Sequence, residues 1–182
     1  MPHLPSLPAK ATLLDIFKRF PASSKPLLQY HEVLMRGPSP FTEGERELIA
    51  AVVSRLNGCR YCEGVHAATA RALGEAPGRV AALLDDPGAA QEAAVLQPVL
   101  AYVEKLTRDP ASVTRAEAEA VLAAGWPEQA LYDAAAICGL YNLMNRLVNG
   151  LGIEADAAYF EAAAKRLSTG GYGAMAAALP DD

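Results

Sequence analysis

The sequence has few aromatic residues, few cysteines and no runs of positive charge. Aromatic side chains make up 7% of the 182 residues and hydrophobic residues 52%, with alanine abundant, which favours close-packed helices over a sandwich or barrel. The net charge is -5 and no lysine or arginine cluster occurs, so the attraction that dominates nucleic-acid binding is missing. We therefore expect an all-α protein with no nucleic-acid partner.

The sequence also lacks the apolar segments of exported or membrane-bound proteins. No basic stretch precedes an apolar run at the N-terminus, and nowhere do about 18 apolar residues follow one another. We therefore expect a soluble cytoplasmic protein with no membrane partner. A chain of this length can bury a core without disulfides, and in a reducing cytosol a close cysteine pair is more typical of catalysis or metal binding than of a structural disulfide.

Helix signals recur along the chain, and no segment alternates like a strand. Two S/T-x-x-E capping boxes, Thr42 with Glu45 and Thr114 with Glu117, mark helix starts, and Asn57-Gly58 marks a stop. The expected helices cover residues 26–36, 43–56, 59–73, 77–86, 89–107 with Pro98 as a kink or break, 115–125, 127–152 and 156–167, whereas the tail 168–182 is ambiguous.

No composition change divides the chain, so we expect one multi-helix bundle over residues 1–182 with a proline-rich N-terminal arm at 1–12. The arm would lie on the surface or on a neighbouring subunit. Each half has a capped shorter helix, a glycine and then a helix ending at Leu-Gly, at residues 73–74 and 151–152, which suggests an internal helical duplication.

The motif CRYCEGVH at residues 59–66 concentrates the reactive side chains. If it is helical, Cys59, Cys62 and His66 are spaced i, i+3 and i+7 and project from one face. The pair lies where a helix begins, so unpaired amides and the helix dipole can stabilise a thiolate, the reactive form of cysteine. Gly58 and Gly64 flank the pair and would let a substrate or another backbone approach closely.

A carboxylate is expected beside this motif. If the chain reverses at Asn57-Gly58, Glu47 lies roughly 13 Å back along one helix and His66 roughly 10 Å along the next, at about 1.5 Å per residue. The two side chains therefore reach similar heights. Glu47 borders an apolar stripe, so we expect it to be partly buried, with a raised pKa that makes it an effective proton acceptor.

Other interpretations of the reactive residues carry less weight. Zinc is disfavoured because a tetrahedral site needs four ligands, and the remaining histidines, His3 and His31, are remote in sequence. Thioredoxin-like chemistry needs a βαβ setting that is missing. Cys138 lies in an apolar stripe and His31 on an amphipathic helix, so both are expected to be packing residues. We therefore expect no metal and no cofactor.

The segment ERELIAAVVSRLNGCRYCEGVH resembles the signature of the carboxymuconolactone decarboxylase and alkylhydroperoxidase D-like superfamily. In that signature a glutamate stands twelve residues before a C-x-x-C, as Glu47 does here, and a histidine four after it. Together with YNLMNRLVNGLGI near the C-terminus, the chain resembles the peroxidase-related branch over roughly residues 20–165. One departure is Tyr61, because hydroperoxidase members have a histidine between the cysteines.

The resemblance implies an all-helical homo-oligomer that reduces hydroperoxides, with a thiol or dithiol as reductant, in antioxidant defence. It implies catalytic roles for Glu47, Cys59, Cys62 and His66. Helix position favours Cys59 as the attacking thiol, whereas proximity to His66 and the superfamily favour Cys62, so the order stays open. The alternatives are a non-catalytic redox-sensing oligomer, an acid-base enzyme of the decarboxylase type in which the cysteines are bystanders, and a helical domain with incidental thiols.

Overall fold

The regular structure of the protein is helical, as expected. A computed structural model describes residues 2–86 and 95–180, and no strand occurs in them. Ten α-helices are found there: α1 (Leu13–Arg19), α2 (Pro21–Arg36), α3 (Glu43–Leu56), α4 (Arg60–Ala72), α5 (Pro77–Asp85), α6 (Gln97–Arg108), α7 (Arg115–Ala123), α8 (Glu128–Gly150), α9 (Ala157–Gly170) and α10 (Gly173–Ala177).

The predicted start of α3 is confirmed in atomic detail. Thr42 accepts a hydrogen bond from the Glu45 backbone amide at 3.1 Å, and the Glu45 carboxylate accepts one from the Thr42 amide at 2.9 Å. These two bonds satisfy donors that the first helical turn leaves unpaired. The same box caps α7 at Thr114. At the other end of α3, Gly58 has φ +65°, the left-handed conformation that glycine adopts without strain.

Helix α3 forms the centre of the fold. Its residues from Arg46 to Ser54 are all buried, because α4, α6 and α8 pack around it. A helix that is covered on every side presents no solvent face, and this explains why its sequence is apolar beyond a single stripe. Helix α4 is held between α3 and α9. The α3–α4 hairpin is therefore the most enclosed part of the described chain.

Several predicted boundaries were wrong. Helix α2 begins at Pro21, not Pro26: Pro21 takes the first helical position, where its missing N–H costs nothing, and Pro26 lies inside the helix. Helix α1 was not predicted. Of the two expectations for Pro98, a kink or a break, the structure shows a break: residues 95 and 96 form a turn, and Pro98 lies in the first turn of α6. Residues 89–94 of the expected helix lie outside the described residues. The tail forms α10.

The N-terminal arm lies along the surface of the same chain. The His3 backbone amide donates to the Leu151 carbonyl at 2.9 Å, and the His3 ring Nδ1 donates to the Gly150 carbonyl at 3.0 Å, so the arm reaches the end of α8.

Within the described residues, no helix has the length and apolar character needed to cross a bilayer. The single domain and the internal duplication stay predictions.

Candidate active site

The two cysteines of the motif lie in contact at the start of α4. Cys59 is the residue that precedes the helix, with its backbone amide bonded to the Ser54 carbonyl at 2.9 Å, and Cys62 lies in the first turn. The spacing placed both cysteines on one helical face, but Cys59 lies outside the helix and its thiol reaches Cys62 from the cap. Both are reduced and buried, with exposed fractions of 0% and 2%. Their thiols hydrogen bond to each other.

The acidities of the two thiols differ in opposite directions. The pKa of Cys59 is lowered to about 7, and the largest cause is the bond from the Cys62 thiol. The backbone amides of Cys62 and Tyr61 lower it further, and together these effects outweigh burial, which raises the pKa. The same contact, with burial, raises the pKa of Cys62 well above its usual value. The pair thus holds its first negative charge on Cys59, where helix amides point toward the sulfur. The Asn145 side chain, from α8, favours the charged form of both thiols, and its own amide donates to the Ser54 hydroxyl at 3.0 Å.

Glu47 and His66 meet across the α3–α4 hairpin, at the similar height that the sequence predicts. Glu47 Oε2 lies 2.6 Å from His66 Nδ1, and the two residues are 0% and 7% exposed. Because an ionised carboxylate can only accept a hydrogen bond, the His66 Nδ1 carries the proton of this contact. The second ring nitrogen, Nε2, is then the one that can exchange a proton with a substrate.

The prediction of a partly buried Glu47 with a raised pKa was wrong in both respects. Burial is complete, and by itself it raises the pKa of Glu47, but the His66 ring and the Arg36 guanidinium favour the charged form and lower it overall. His66 contributes most of this lowering, and Arg36, which the hairpin does not contain, adds to it. Arg36 Nη2, from α2, lies 2.6 Å from Glu47 Oε1. These two partners favour the carboxylate form of Glu47, which in turn holds His66 in place.

Two tyrosines complete this buried network. Tyr172 Oη donates its proton to Glu47 Oε1 at 2.9 Å. Because that proton is used, Tyr172 Oη accepts the hydrogen bond that the Tyr141 hydroxyl donates at 3.1 Å. Tyr141 Oη also lies 3.5 Å from His66 Nδ1, and the Arg36 guanidinium lies 5.1 Å from the centre of the Tyr172 ring. All of the Glu47 oxygen atoms thus have partners, as a buried charge requires.

Tyr172 comes from the C-terminal tail, which Glu32 of α2 fixes in position. The Glu32 carboxylate accepts the backbone amides of Tyr172 and Gly173, both at 2.7 Å. Gly171 allows this approach, since its φ is +61° and an added Cβ would lie 2.6 Å from Glu32 Oε2.

Sequence reasoning missed Arg36, Asn145 and Tyr172 as site residues. Asn145 lies in the quoted YNLMNRLVNGLGI segment, but nothing in that segment marks its side chain as a contact of the sulfurs.

A small cavity of about 60 Å³ joins the two pairs of residues. Cys62, His66, His31, Tyr141 and Tyr172 contribute to its wall, whereas Cys59 does not. The sulfur that a small molecule can approach through this cavity is therefore that of Cys62. The four predicted residues form two contacting pairs, Glu47 with His66 and Cys59 with Cys62, and one member of each pair lines the cavity.

Tyr61 and Gly64 face helix α9. The Tyr61 hydroxyl donates to the Tyr159 hydroxyl at 2.7 Å, and burial raises the pKa of Tyr61. A Cβ on Gly64 would lie 2.3 Å from the Phe160 ring, so this glycine lets α9 pack closely against α4. Of the two expected uses of Gly64, close approach of a substrate or of another segment of the chain, the structure shows the second, because Phe160 of α9 fills that space.

The remaining histidine and cysteine have ordinary packing partners. His31 Nδ1 donates to the Leu27 carbonyl at 2.8 Å, and burial lowers the pKa of His31 to about 4, so it lines the cavity as a neutral ring. Cys138 contacts the Thr107 hydroxyl at 3.2 Å on the far side of α8. In the part of the chain that the structure describes, no three His, Cys, Asp or Glu side chains are grouped to hold a metal ion.

Comparison with known proteins supplies a family. Residues 21–105 match the carboxymuconolactone decarboxylase family. The chain is similar to the crystal structure of an uncharacterized peroxidase-related protein from Silicibacter sp. TM1040, with 28% identity, a TM-score of 0.76, and coverage of 81% of this chain and 78% of that one. These likenesses support the carboxymuconolactone decarboxylase and alkylhydroperoxidase D-like superfamily as the family that this chain resembles.

A second structural relative is the alkylhydroperoxidase AhpD core of an uncharacterized peroxidase-related protein from Ralstonia eutropha JMP134. It shares 26% identity and a TM-score of 0.75, over 80% of this chain and 77% of that one. No curated protein matches the chain. The range that matches the decarboxylase family contains Arg36, Glu47 and the CRYCEGVH motif, whereas Asn145 and Tyr172 lie beyond it.

Proposed function

We propose that this protein is a thiol-dependent peroxidase or disulfide reductase that reduces hydroperoxides through the Cys59–Cys62 pair. The observation that carries the proposal is the shared cavity, which Cys62 and His66 both line while Cys59 lies in contact behind Cys62. A dithiol in contact can close to a disulfide, and a histidine with a free Nε2 can move protons beside it. The peroxidase-related names of both structural relatives agree with this reaction class.

In the proposed reaction Cys59 is a thiol when His66 takes the Cys62 thiol proton on Nε2, because a charge on Cys59 would oppose a second one on Cys62. The buried Glu47 carboxylate stabilises the resulting imidazolium. The Cys62 thiolate attacks the terminal oxygen of the hydroperoxide, the O–O bond breaks, and sulfenic acid forms on Cys62. The imidazolium returns its proton to the departing alkoxide, which leaves as an alcohol. The Cys59 sulfur then attacks the Cys62 sulfur, closing the disulfide and displacing hydroxide, which takes the proton of the Cys59 thiol and leaves as water.

The unequal acidities of the two thiols suit the return half of the cycle. An external dithiol must attack one sulfur of the disulfide while the other leaves, and the sulfur of lower pKa leaves faster. Cys59, with a pKa of about 7, is the better leaving group, and Cys62 is the sulfur that faces the cavity. Attack on Cys62 therefore releases Cys59 thiolate, and a second exchange regenerates the reduced pair and an oxidised dithiol.

The test is peroxide consumption with a dithiol donor, with the 59–62 disulfide followed by mass spectrometry. We expect many turnovers in the wild-type protein and none in a Cys59→Ser, Cys62→Ser double variant. Cys138→Ser, which removes a thiol outside the cavity, is the matched control and should retain activity. Sustained peroxide consumption by the double variant would show the proposal to be wrong. A disulfide that forms once without turnover would indicate a redox sensor.

An acid-base reaction is the second candidate, since the matched family is named for a decarboxylase and the Glu47–His66 pair contains no sulfur. In that reaction His66 would act as the base, and the cysteines would be bystanders. The same double variant separates the two functions. Lactone decarboxylation that survives in the double variant and is lost in His66→Asn would support the acid-base enzyme.

A further inference from the structure

We infer that the hydroperoxide reduced at this site carries a carboxylate, which the Arg166 guanidinium binds at the open end of the cavity. The inference rests on the proposed peroxidase function and adds a substrate class to it. Three observations support it: the apolar wall of the cavity, the position of one charged side chain on that wall, and the absence of an acidic partner for that side chain in the described residues.

The wall between the reactive end and solvent is hydrophobic. Six helices supply its apolar side chains, among them Leu13 and Phe17 from α1, Leu28 from α2, Val65 from α4, Met144 from α8, Leu167 from α9 and Met175 from α10. Hydrogen peroxide has no apolar surface to place against such a wall. An organic hydroperoxide does, and it gains about 25 cal/mol for each Å² of apolar surface removed from water. The enclosed volume of about 60 Å³ admits the narrow reactive end of such a molecule.

Arg166 is the charged side chain of this wall. It lies on α9, is exposed to solvent and borders the same cavity as buried Cys62 and His66. The cavity therefore has a cation at its solvent end and a thiol at its closed end. The guanidinium lies 5.6 Å from the centre of the Tyr159 ring, which leaves its hydrogen-bond donors free along the edge. Tyr159 is held in turn by the Tyr61 hydroxyl.

The neighbouring arginines differ from Arg166 because they have carboxylate partners. Arg71, on α4, pairs with Glu161 of α9 at 3.2 Å, and Arg36 pairs with Glu47 inside the protein. Arg166 forms no ion pair with an acidic side chain across residues 2–86 and 95–180. In a chain of net charge -5, an unpaired arginine beside an apolar cavity is a local attraction for an anion.

The chemistry of Arg166 selects a carboxylate among anions. A guanidinium presents parallel N–H donors that match the two oxygens of a carboxylate. A phosphate dianion would need further donors or a second cation, and no other charged side chain among the described residues lines the cavity. The substrate that fits has a hydroperoxide at one end, a carboxylate at the other and an apolar segment between them.

The test compares an ω-hydroperoxy carboxylate with its methyl ester, which differs only in the charge. We expect the wild-type protein to favour the carboxylate about 5- to 10-fold in kcat/KM, mainly through KM, as a partly solvated ion pair would give. Arg166→Gln should remove this preference, so that acid and ester react with similar kcat/KM, and Arg166→Lys should retain part of it. Arg71→Gln, which removes an exposed arginine outside the cavity wall, should keep the full preference.

Equal kcat/KM for acid and ester in the wild-type protein, or a preference that persists in Arg166→Gln, would overturn the inference. If the protein turns over neither compound, the peroxidase proposal fails, and calorimetric binding of the matching hydroxy acid and hydroxy ester decides the anion site alone. Tighter binding of the acid by about 5- to 10-fold, lost in Arg166→Gln, supports the site, again as expected for one ion pair. Equal affinity, or no binding of the acid, excludes it.

Discussion

Two helical hairpins of this protein use the same local signals, yet one of them carries all four predicted site residues. The α3–α4 and α7–α8 hairpins each begin with a threonine capping box, and each first helix is followed by a glycine of positive φ, Gly58 at +65° and Gly125 at +94°. The same local sequence signals therefore start the first helix and reverse the chain after it in both hairpins. They do not set the chemistry, because among the described residues only the first hairpin has a fully buried carboxylate paired with ionisable side chains of other helices, whereas Glu117 of the second hairpin pairs with Lys105 of α6 and stays partly exposed.

The contrast is sharpest five residues after each capping threonine, where both hairpins have a glutamate. Glu47 is fully buried and contacts Arg36, His66 and Tyr172, from α2, α4 and the tail. Glu119 pairs with Arg115 of its own helix, and the two side chains are 60% and 90% exposed. A glutamate at the same distance from its cap is therefore a positioning group in one hairpin and a solvated surface residue in the other.

The largest expected effect is the loss of the partner of Glu47. Arg36→Met removes the guanidinium 2.6 Å from a buried carboxylate, so we expect the free energy of unfolding to fall by about 3 to 5 kcal/mol. Urea denaturation measures it. Arg115→Met removes the corresponding pair of the second hairpin and should change nothing measurable, because both side chains are exposed. Adding Glu47→Gln to Arg36→Met should restore part of the loss, and a further loss would contradict the pairing.

The next effect concerns activity and compares the two glutamates directly. Glu47→Gln leaves His66 without the carboxylate that fixes its tautomer and stabilises its protonated form. We expect kcat/KM with a hydroperoxide to fall about 100-fold, within the usual range for general acid-base catalysis. Glu119→Gln is the control and should match the wild-type protein. Circular dichroism of both variants checks that they fold, and wild-type activity in a folded Glu47→Gln variant would remove Glu47 from the mechanism.

The third prediction distinguishes the thiols of the two hairpins by the pH at which each one loses its proton. The pKa of Cys59 is about 7, whereas burial raises the pKa of Cys138 on α8. One equivalent of thiolate absorbance should therefore appear as pH rises through about 7, since Cys59 is protonated below that pH and charged above it. Cys59→Ala should abolish this step and Cys138→Ala should not. Cys62→Ala should move the step upward, toward the ordinary cysteine pKa of about 8.5, because the Cys62 bond is the main cause of the lowering.

The comparison also shows what the sequence could and could not predict. Capping boxes, glycine stops and the Glu47–His66 contact depend on residues within one hairpin, so spacing and helix geometry were sufficient for them. The pKa direction of Glu47 depends on the His66 contact and also on Arg36 from another helix, so an argument from burial alone led to the wrong sign. Tyr172 comes from a tail whose course depends on Glu32. Contacts between elements distant in sequence leave no periodicity or motif to read.

The smallest expected effect tests the feature that the two hairpins share. Thr42→Ala and Thr114→Ala each remove a side chain that accepts a backbone amide of the first helical turn, at 3.1 Å from Glu45 and 3.3 Å from Ala116. Loss of a threonine cap costs about 1 kcal/mol, so both variants should unfold at slightly lower urea concentration, by similar amounts. Their kcat/KM should stay near the wild-type value, because Glu47 is held by Arg36, Tyr172 and His66 and not by the cap. A large loss of activity in Thr42→Ala alone would mean that the cap itself aligns Glu47. The functional difference between the two hairpins would then arise from their local sequence and not from their partners in other helices.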